Sequence, residues 1–255
     1  TASEPTVITE NFLPTDTDFK TQIAKLKNKD VDAIFINPQT PPKTDLLMKQ
    51  LEEQGVEGIQ VFGNDVVVGY KEGLSRYPKL VEGMIGAEAS YDENHSDVAY
   101  FAEEYKKQTG DAEVPYMSYA ATSFDAVRII AEGVAEVGND GDKFKEWLYD
   151  VKDWQGAAGS LTIDKNGDPG AGHKAKIVKD GKVVLYGGAE TSAVSTVSTS
   201  KTSELATPAD KTKDPVKIGG ILPLTGDGAA YGVPMQKIAE IAAAKVNMEG
   251  GINGA

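Results

Sequence analysis

The side chains able to do chemistry are few in kind. Cysteine is absent and only His95 and His173 carry imidazole. Thiol nucleophiles, disulfides and zinc-thiolate centres are therefore excluded by composition. The two histidines stand far apart, in Glu-Asn-His-Ser and Ala-Gly-His-Lys, and these polar settings predict surface or loop positions rather than a base or a metal ligand. No serine occupies a Gly-x-Ser-x-Gly elbow and no Gly-x-Gly-x-x-Gly opens a helix, so neither acyl transfer nor dinucleotide binding has its signature. Asp164 to Asp168 has the look of a calcium loop but lacks the later bidentate Glu, and it fits a turn after a strand better. Asp and Glu number 39 against 26 Lys and Arg, a net charge of −13. That balance argues against nucleic acid, whose phosphates need clustered cations. Catalysis, metal and cofactor are accordingly not expected.

The elements that would position such a site alternate in kind. Thr6 to Phe12 alternates β-branched and polar residues, and Thr15 to Asp18 offers caps to a helix carrying Phe19, Ile23 and Leu26. Val31 to Ile36 reads as a buried strand, Pro41-Pro42 as a break, Asp45 to Gln54 as an amphipathic helix closed by Gly55, and Gly58 to Phe62 as the next strand. This spacing predicts βαβ units and a parallel sheet. Further strands are expected over Val81 to Ala89, with helices over Asp97 to Gln108, from near Ser123 to Val137, and over Asp142 to Tyr149. In the helix from near Ser123, Val127, Ile130 and Val134 are expected to face inward. A hairpin of Ala175 to Val178 and Lys182 to Leu185 should turn at Asp180-Gly181. From Ala189 to about Lys213 the chain is rich in Ser and Thr and reads as a tether. Val216 to Leu222 then reads as a buried strand, and Ala229 to Met248 as a helix with Met235, Ile238, Ala242 and Val246 inward. No apolar run approaches the ~20 residues of a membrane-spanning helix.

Several of these segments resemble one family. Lys217-Ile-Gly-Gly-Ile-Leu-Pro-Leu-Thr-Gly-Asp-Gly-Ala-Ala-Tyr-Gly232, with Val246-Asn-Met-Glu-Gly-Gly-Ile-Asn-Gly254, is similar to the opening βα unit of the branched-chain amino acid (Leu/Ile/Val-type) binding proteins, which are type I periplasmic binding proteins. Phe12-Leu-Pro-Thr-Asp-Thr-Asp-Phe19, Asp32-Ala-Ile-Phe35 and Ser123-Phe-Asp-Ala126 resemble middle and later segments. Leu161-Thr-Ile-Asp-Lys-Asn-Gly-Asp168 and the following hairpin resemble the family's C-terminal end. The order departs from the family, since the opening unit stands last, behind the tether. The arrangement reads as a circular permutant from which first-lobe segments, about a hundred residues or more, are absent.

The resemblance implies an α/β fold of two Rossmann-like parallel-sheet lobes with helices on both faces. Residues 1–118 would be mostly second lobe, 119–158 crossover and first-lobe helices, 159–188 the C-terminal hairpin region, 189–213 the linker, and 214–255 the opening βα unit. It implies an extracytoplasmic receptor component of an ABC importer that holds an amino acid between its lobes. The tether resembles a lipoprotein spacer, which implies a lipid-anchored parent protein. Partners would be the ligand and the importer's membrane subunits. A complementary chain or a second copy could replace the absent lobe segment.

Ligands of open α/β sheets lie beyond the carboxyl ends of strands. By the resemblance, Tyr231 lines the cleft, Asp65 in Gly63-Asn64-Asp65 meets the ligand's ammonium with Asn64 as a further ligand-binding residue, Gln39 and Thr40 face the ligand, and Tyr119 forms an aromatic wall. Three have a structural alternative: Tyr231 packed on its own lobe, Asp65 capping a helix or turn, Tyr119 as plain core. A ligand among amides, ureas or aromatic acids stays open because Pro-Gln-Thr-Pro stands where the family has an aromatic or glycine-rich turn.

Overall fold

The computed structural model describes residues 7–29, 31–170, 172–187, 209 and 214–255. In chain order the elements are α1 (Lys20–Lys27), β1 (Ala33–Ile36), α2 (Pro41–Glu53), β2 (Gln60–Gly63), α3 (Asp65–Val68), α4 (Lys71–Arg76), α5 (Pro78–Val81) and β3 (Ile85–Ala89). Then follow α6 (Ser96–Thr109), α7 (Met117–Val137), α8 (Gly141–Asp150), β4 (Trp154–Gly156), β5 (Gly159–Leu161), β6 (His173–Lys179), β7 (Lys182–Leu185) and α9 (Ala229–Met248). They form two compact units, one of residues up to 88 with 174–187, the other of 89–173 with 214–255. Apart from Ala209, the expected tether lies outside the described residues or at their margin.

The first unit is built on a five-stranded sheet in the order β1-β2-β3-β6-β7. β1, β2 and β3 run parallel, in the register Phe35↔Phe62 and Phe62↔Ile85. The parallel βαβ arrangement follows the sequence reading. β6 and β7 close the far side as an antiparallel hairpin. Its turn falls on Asp180 (φ 52°) and Gly181 (φ 69°), the left-handed pair that a two-residue hairpin requires. One sheet face carries Ile34, Ile36, Val61 and Val178 into a core with Phe19, Ile23, Met48, Leu51 and Val81. β1 is shorter than the expected strand and only alternately buried, with Phe35 64% exposed.

Three local expectations are corrected here. Pro41 and Pro42 do not break the helix but begin it: Thr40 is extended (φ −139°, ψ 152°), and the prolines occupy positions where a missing N–H costs nothing. Residues 7 to 12 form no strand despite their alternation, and Thr6 lies outside the described residues. The stretch expected to begin a strand at Val81 instead ends helix α5, and the short helices α3 to α5 fill the path to β3.

Asp45, on α2, pins this path. Its Oδ1 accepts from the Tyr70 hydroxyl at 3.0 Å, the Tyr77 hydroxyl at 3.1 Å and the Arg76 Nη1 at 2.9 Å. Burial, followed by the adjacent Asp45 carboxylate, raises both tyrosine pKa values. Asp45→Ala should cost about 2 kcal/mol, because two largely buried hydroxyls lose their acceptor while the exposed arginine contributes little. Urea denaturation measures it, and a cost under about 0.5 kcal/mol would show that solvent replaces the carboxylate.

The second unit packs α6, α7, α8 and α9 with the small β4-β5 ribbon. Phe101, Phe124 and Ile238 are fully buried at its centre, joined by Val98, Tyr105, Met235, Ile241 and Ala242. α9 spans the expected residues, and of its expected inward set only Val246 is merely half-buried. α7 begins six residues before Ser123, and its fully buried positions are Ala120, Ala121, Phe124 and Ile129 among others. Val127, Ile130 and Val134 are half-buried instead. α9 is also tied by charge. Lys245 Nζ lies 3.3 Å from Asp97 Oδ1, and Asp97 Oδ2 accepts from Arg128 at 2.7 Å.

Val216 to Leu222 is not a strand. Ile221 is fully exposed, and among the described residues no backbone–backbone hydrogen bond is made by residues 216–224. A strand exists only through its ladder, and the β-forming composition of this segment finds none beside it.

Candidate functional site

The sequence-derived candidates fall into two groups, one in each unit. In the first unit the parallel strands deliver Asn37 to Thr40 after β1 and Asn64 and Asp65 after β2, at neighbouring carboxyl ends. Asn64 stitches these loops together. Its Nδ2 donates to Asn37 Oδ1 at 2.7 Å and to the Pro38 carbonyl at 2.8 Å, while its Oδ1 caps α3 by accepting from Val67 N at 3.1 Å. Both amide donors and one acceptor position are used in holding the loops, so Asn64 positions its neighbours. Gly63 is needed here because a Cβ would meet Val67 at 2.6 Å. Asp65 is the first residue of α3 and half-buried, Gln39 is exposed, and Thr40 is half-buried at the start of α2. The Thr40 carbonyl accepts from Thr44 N at 2.9 Å and from Thr44 Oγ1 at 3.0 Å, which fixes the turn.

In the second unit Tyr119 and Tyr231, distant in sequence, come together. Their ring centroids are 6.1 Å apart at an interplanar angle of 69°. A third ring, Tyr116, lies parallel-stacked on Tyr119 at 6.1 Å and edge-on to Tyr231 at 6.3 Å. All three are half-buried. Edge-to-face and offset contacts at these distances suit aromatic quadrupoles, and the trio makes a stiff wall able to receive an apolar body. Tyr116 went unnoticed in the sequence. It stands at the N-cap of α7 with φ 52° and ψ 60°, a left-handed conformation rare for a bulky residue. Its spacing of three from Tyr119 was the available signal, obscured by placing the helix start too late.

The glycine-rich stretch before Tyr231 forms a single 3-10 turn over Gly226–Gly228, with Gly226 at φ 66°. Gly232 lets Pro223 close onto α9, since a Cβ there would meet the Pro223 carbonyl oxygen at 2.0 Å. Asp164 folds its loop rather than presenting it outward. Its Oδ1 accepts from Asn166 N at 2.8 Å and Asp168 N at 2.9 Å, and these backbone bonds hold its pKa below the usual range. Among the described residues no group of three His, Asp or Glu side chains is arranged to hold a metal. His95 caps α6, its Nδ1 accepting from Asp97 N at 3.2 Å, and His173 is exposed on β6.

The sequence profile of the periplasmic binding proteins matches residues 1–179. The chain belongs to the periplasmic binding protein family. Within that family it is 26% identical over 153 residues to the Leu/Ile/Val-binding protein homolog 1 of Brucella suis, covering 60% of this chain and 39% of the relative. A leucine binding protein of Thermotoga maritima matches in structure with a TM-score of 0.56 and 24% identity, over 68% of this chain and 49% of that one. A solute binding protein of an ABC transporter from Rhodopseudomonas palustris, in complex with 3,4-dihydroxybenzoic acid, matches with a TM-score of 0.52 and 24% identity, over 66% and 47%. The chain thus spans half or less of the length of these relatives. The fold is the type I fold of the periplasmic binding proteins, α/β with a parallel-strand sheet. Among the described residues no helix is long and apolar enough to cross a membrane.

Proposed function

We propose that this chain is part of an extracytoplasmic solute-binding protein that delivers an amino acid to the membrane subunits of an ABC importer. Tyr231 and Tyr119 would pack the ligand's side chain, Asp65 would meet its ammonium, and Gln39 and Thr40 would complete the polar contacts. A carboxylate desolvated by lobe closure needs a cationic partner, and an amino acid supplies one. Closure about a hinge would follow from tighter binding to the closed state than to the open one. The observation that carries the reading is the tyrosine wall, in which Tyr119 and Tyr231 lie 6.1 Å apart although distant in sequence.

Calorimetric titration of the intact protein with leucine, isoleucine, valine, phenylalanine and 3,4-dihydroxybenzoate tests it. Saturable binding of an amino acid with a Kd of about micromolar size is expected. Binding of the aromatic acid alone would transfer the site to that ligand class, which a relative's bound ligand and the three tyrosines make the nearest alternative. Silence with every member of the panel would defeat the proposal.

A second reading is favoured by one observation, the unladdered Val216 to Leu222 segment. In it the chain is a permuted or split form whose last βα unit enters a sheet only when a complementary segment or a second copy supplies strands. Binding that appears in this chain only on adding that segment would support it. Monomeric behaviour with full ligand binding would exclude it.

A further inference from the structure

Both tryptophans of the chain line one cavity, and neither belongs to the candidate ligand groups described above. The cavity, about 270 Å³, lies wholly in the second unit and is bounded by Trp147, Asp150, Val151, Lys152 and Trp154. Its volume falls near the lower end for small-molecule sites, enough for a ligand of a few heavy atoms. The indoles are held in place. Trp154 Nε1 donates to Glu132 Oε2 at 2.7 Å. Trp147 stacks obliquely with Phe144 at 5.8 Å and sits over Gly133, where any Cβ would be 2.7 Å from its ring.

The charges of the cavity are unequally engaged. Lys152 Nζ donates to the Tyr149 carbonyl at 3.1 Å and the Ile163 carbonyl at 2.6 Å, so its ammonium is drawn onto the main chain at the end of α8. Asp150 is exposed, and among the described residues its carboxylate makes no hydrogen bond or ion pair. Two immobilised indoles beside an uncommitted carboxylate, in a chain of net charge −13, attract a cation with a flat apolar face. A guanidinium fits best, because it is weakly hydrated, stacks on indole and offers a planar fork to a carboxylate.

We propose that this cavity is a second binding site, specific for an alkylguanidinium group, set between Trp147 and Trp154 and oriented by Asp150. It stands independently of the amino acid reading. Because no other tryptophan exists in the chain, intrinsic tryptophan fluorescence reports on the cavity alone. The test titrates the protein with N-ethylguanidinium chloride at constant ionic strength, beside sodium chloride and the neutral near-isostere N-ethylurea. A saturable fluorescence change with the guanidinium only is expected. Asp150→Asn, which removes no hydrogen bond or ion pair, should weaken it about five-fold, the scale of a partly exposed charge contact. A blocked arginine peptide identifies the source of the group: tighter binding than N-ethylguanidinium assigns an arginine side chain of a protein, and equal or weaker binding assigns a free small molecule. An unsaturable response, an equal response to N-ethylurea, or unchanged affinity in the Asp150→Asn protein overturns the proposal.

Discussion

Replacing Asp125 by Ala should destabilise the protein by about 3 kcal/mol, since two backbone N–H groups in a packed interior lose their shared acceptor. Asp125 projects from α7, buried, and its two oxygens accept from Ala157 N at 2.8 Å and Ala158 N at 2.7 Å. These bonds fasten the β4-β5 turn to the central helix. They also explain Gly156, where a Cβ would lie 2.3 Å from Asp125 Oδ2. Burial raises the Asp125 pKa above the ordinary carboxylate value, and the two backbone bonds only partly oppose it. The sign follows from proton binding. A folded pKa above the unfolded one means the folded state holds the proton longer, so stability from this group falls as pH rises between the two values. The cost of Asp125→Asn should therefore be greater at about pH 4 than at about pH 7. Urea denaturation of both proteins at the two pH values measures it, and a cost that grows with pH would contradict the assignment.

The second large effect concerns ligand. Tyr231→Ala should weaken amino acid binding by about 10- to 100-fold, the usual loss when a packed aromatic anchor is truncated. Tyr231→Phe should retain most of the affinity, because the ring and its edge contacts to Tyr116 and Tyr119 persist. Calorimetry on the intact protein distinguishes these outcomes. If the alanine variant bound within about threefold of the native protein, Tyr231 would be only part of the packing of its own unit.

The sequence was most legible where local chemistry and tertiary packing agree. α9 could be delimited because its apolar spacing continues unbroken until Gly250-Gly251, and the β6-β7 hairpin because Asp180-Gly181 tolerates the left-handed backbone its turn needs. It was misleading where one residue type serves two purposes. Prolines 41 and 42 look like a break yet start α2, and the β-rich Val216 to Leu222 needs neighbours that composition cannot reveal. The candidate site shows the same division. Strand ends located Gln39, Thr40, Asn64 and Asp65, but the role of Asn64 depends on Asn37 and Pro38, a cross-loop partnership with no local signature. Tyr116 was hidden for a different reason: the helix that follows it begins at Met117, six residues before Ser123, where the sequence had suggested its start.

The claim on which the functional account rests is that ligand closes two lobes upon itself. Small-angle X-ray scattering of the intact protein, with and without the amino acid that binds it most tightly, addresses this directly. A smaller radius of gyration at saturation is the predicted result, reversed when Tyr231→Ala lowers occupancy at the same ligand concentration. An identical radius with the site demonstrably filled would contradict closure.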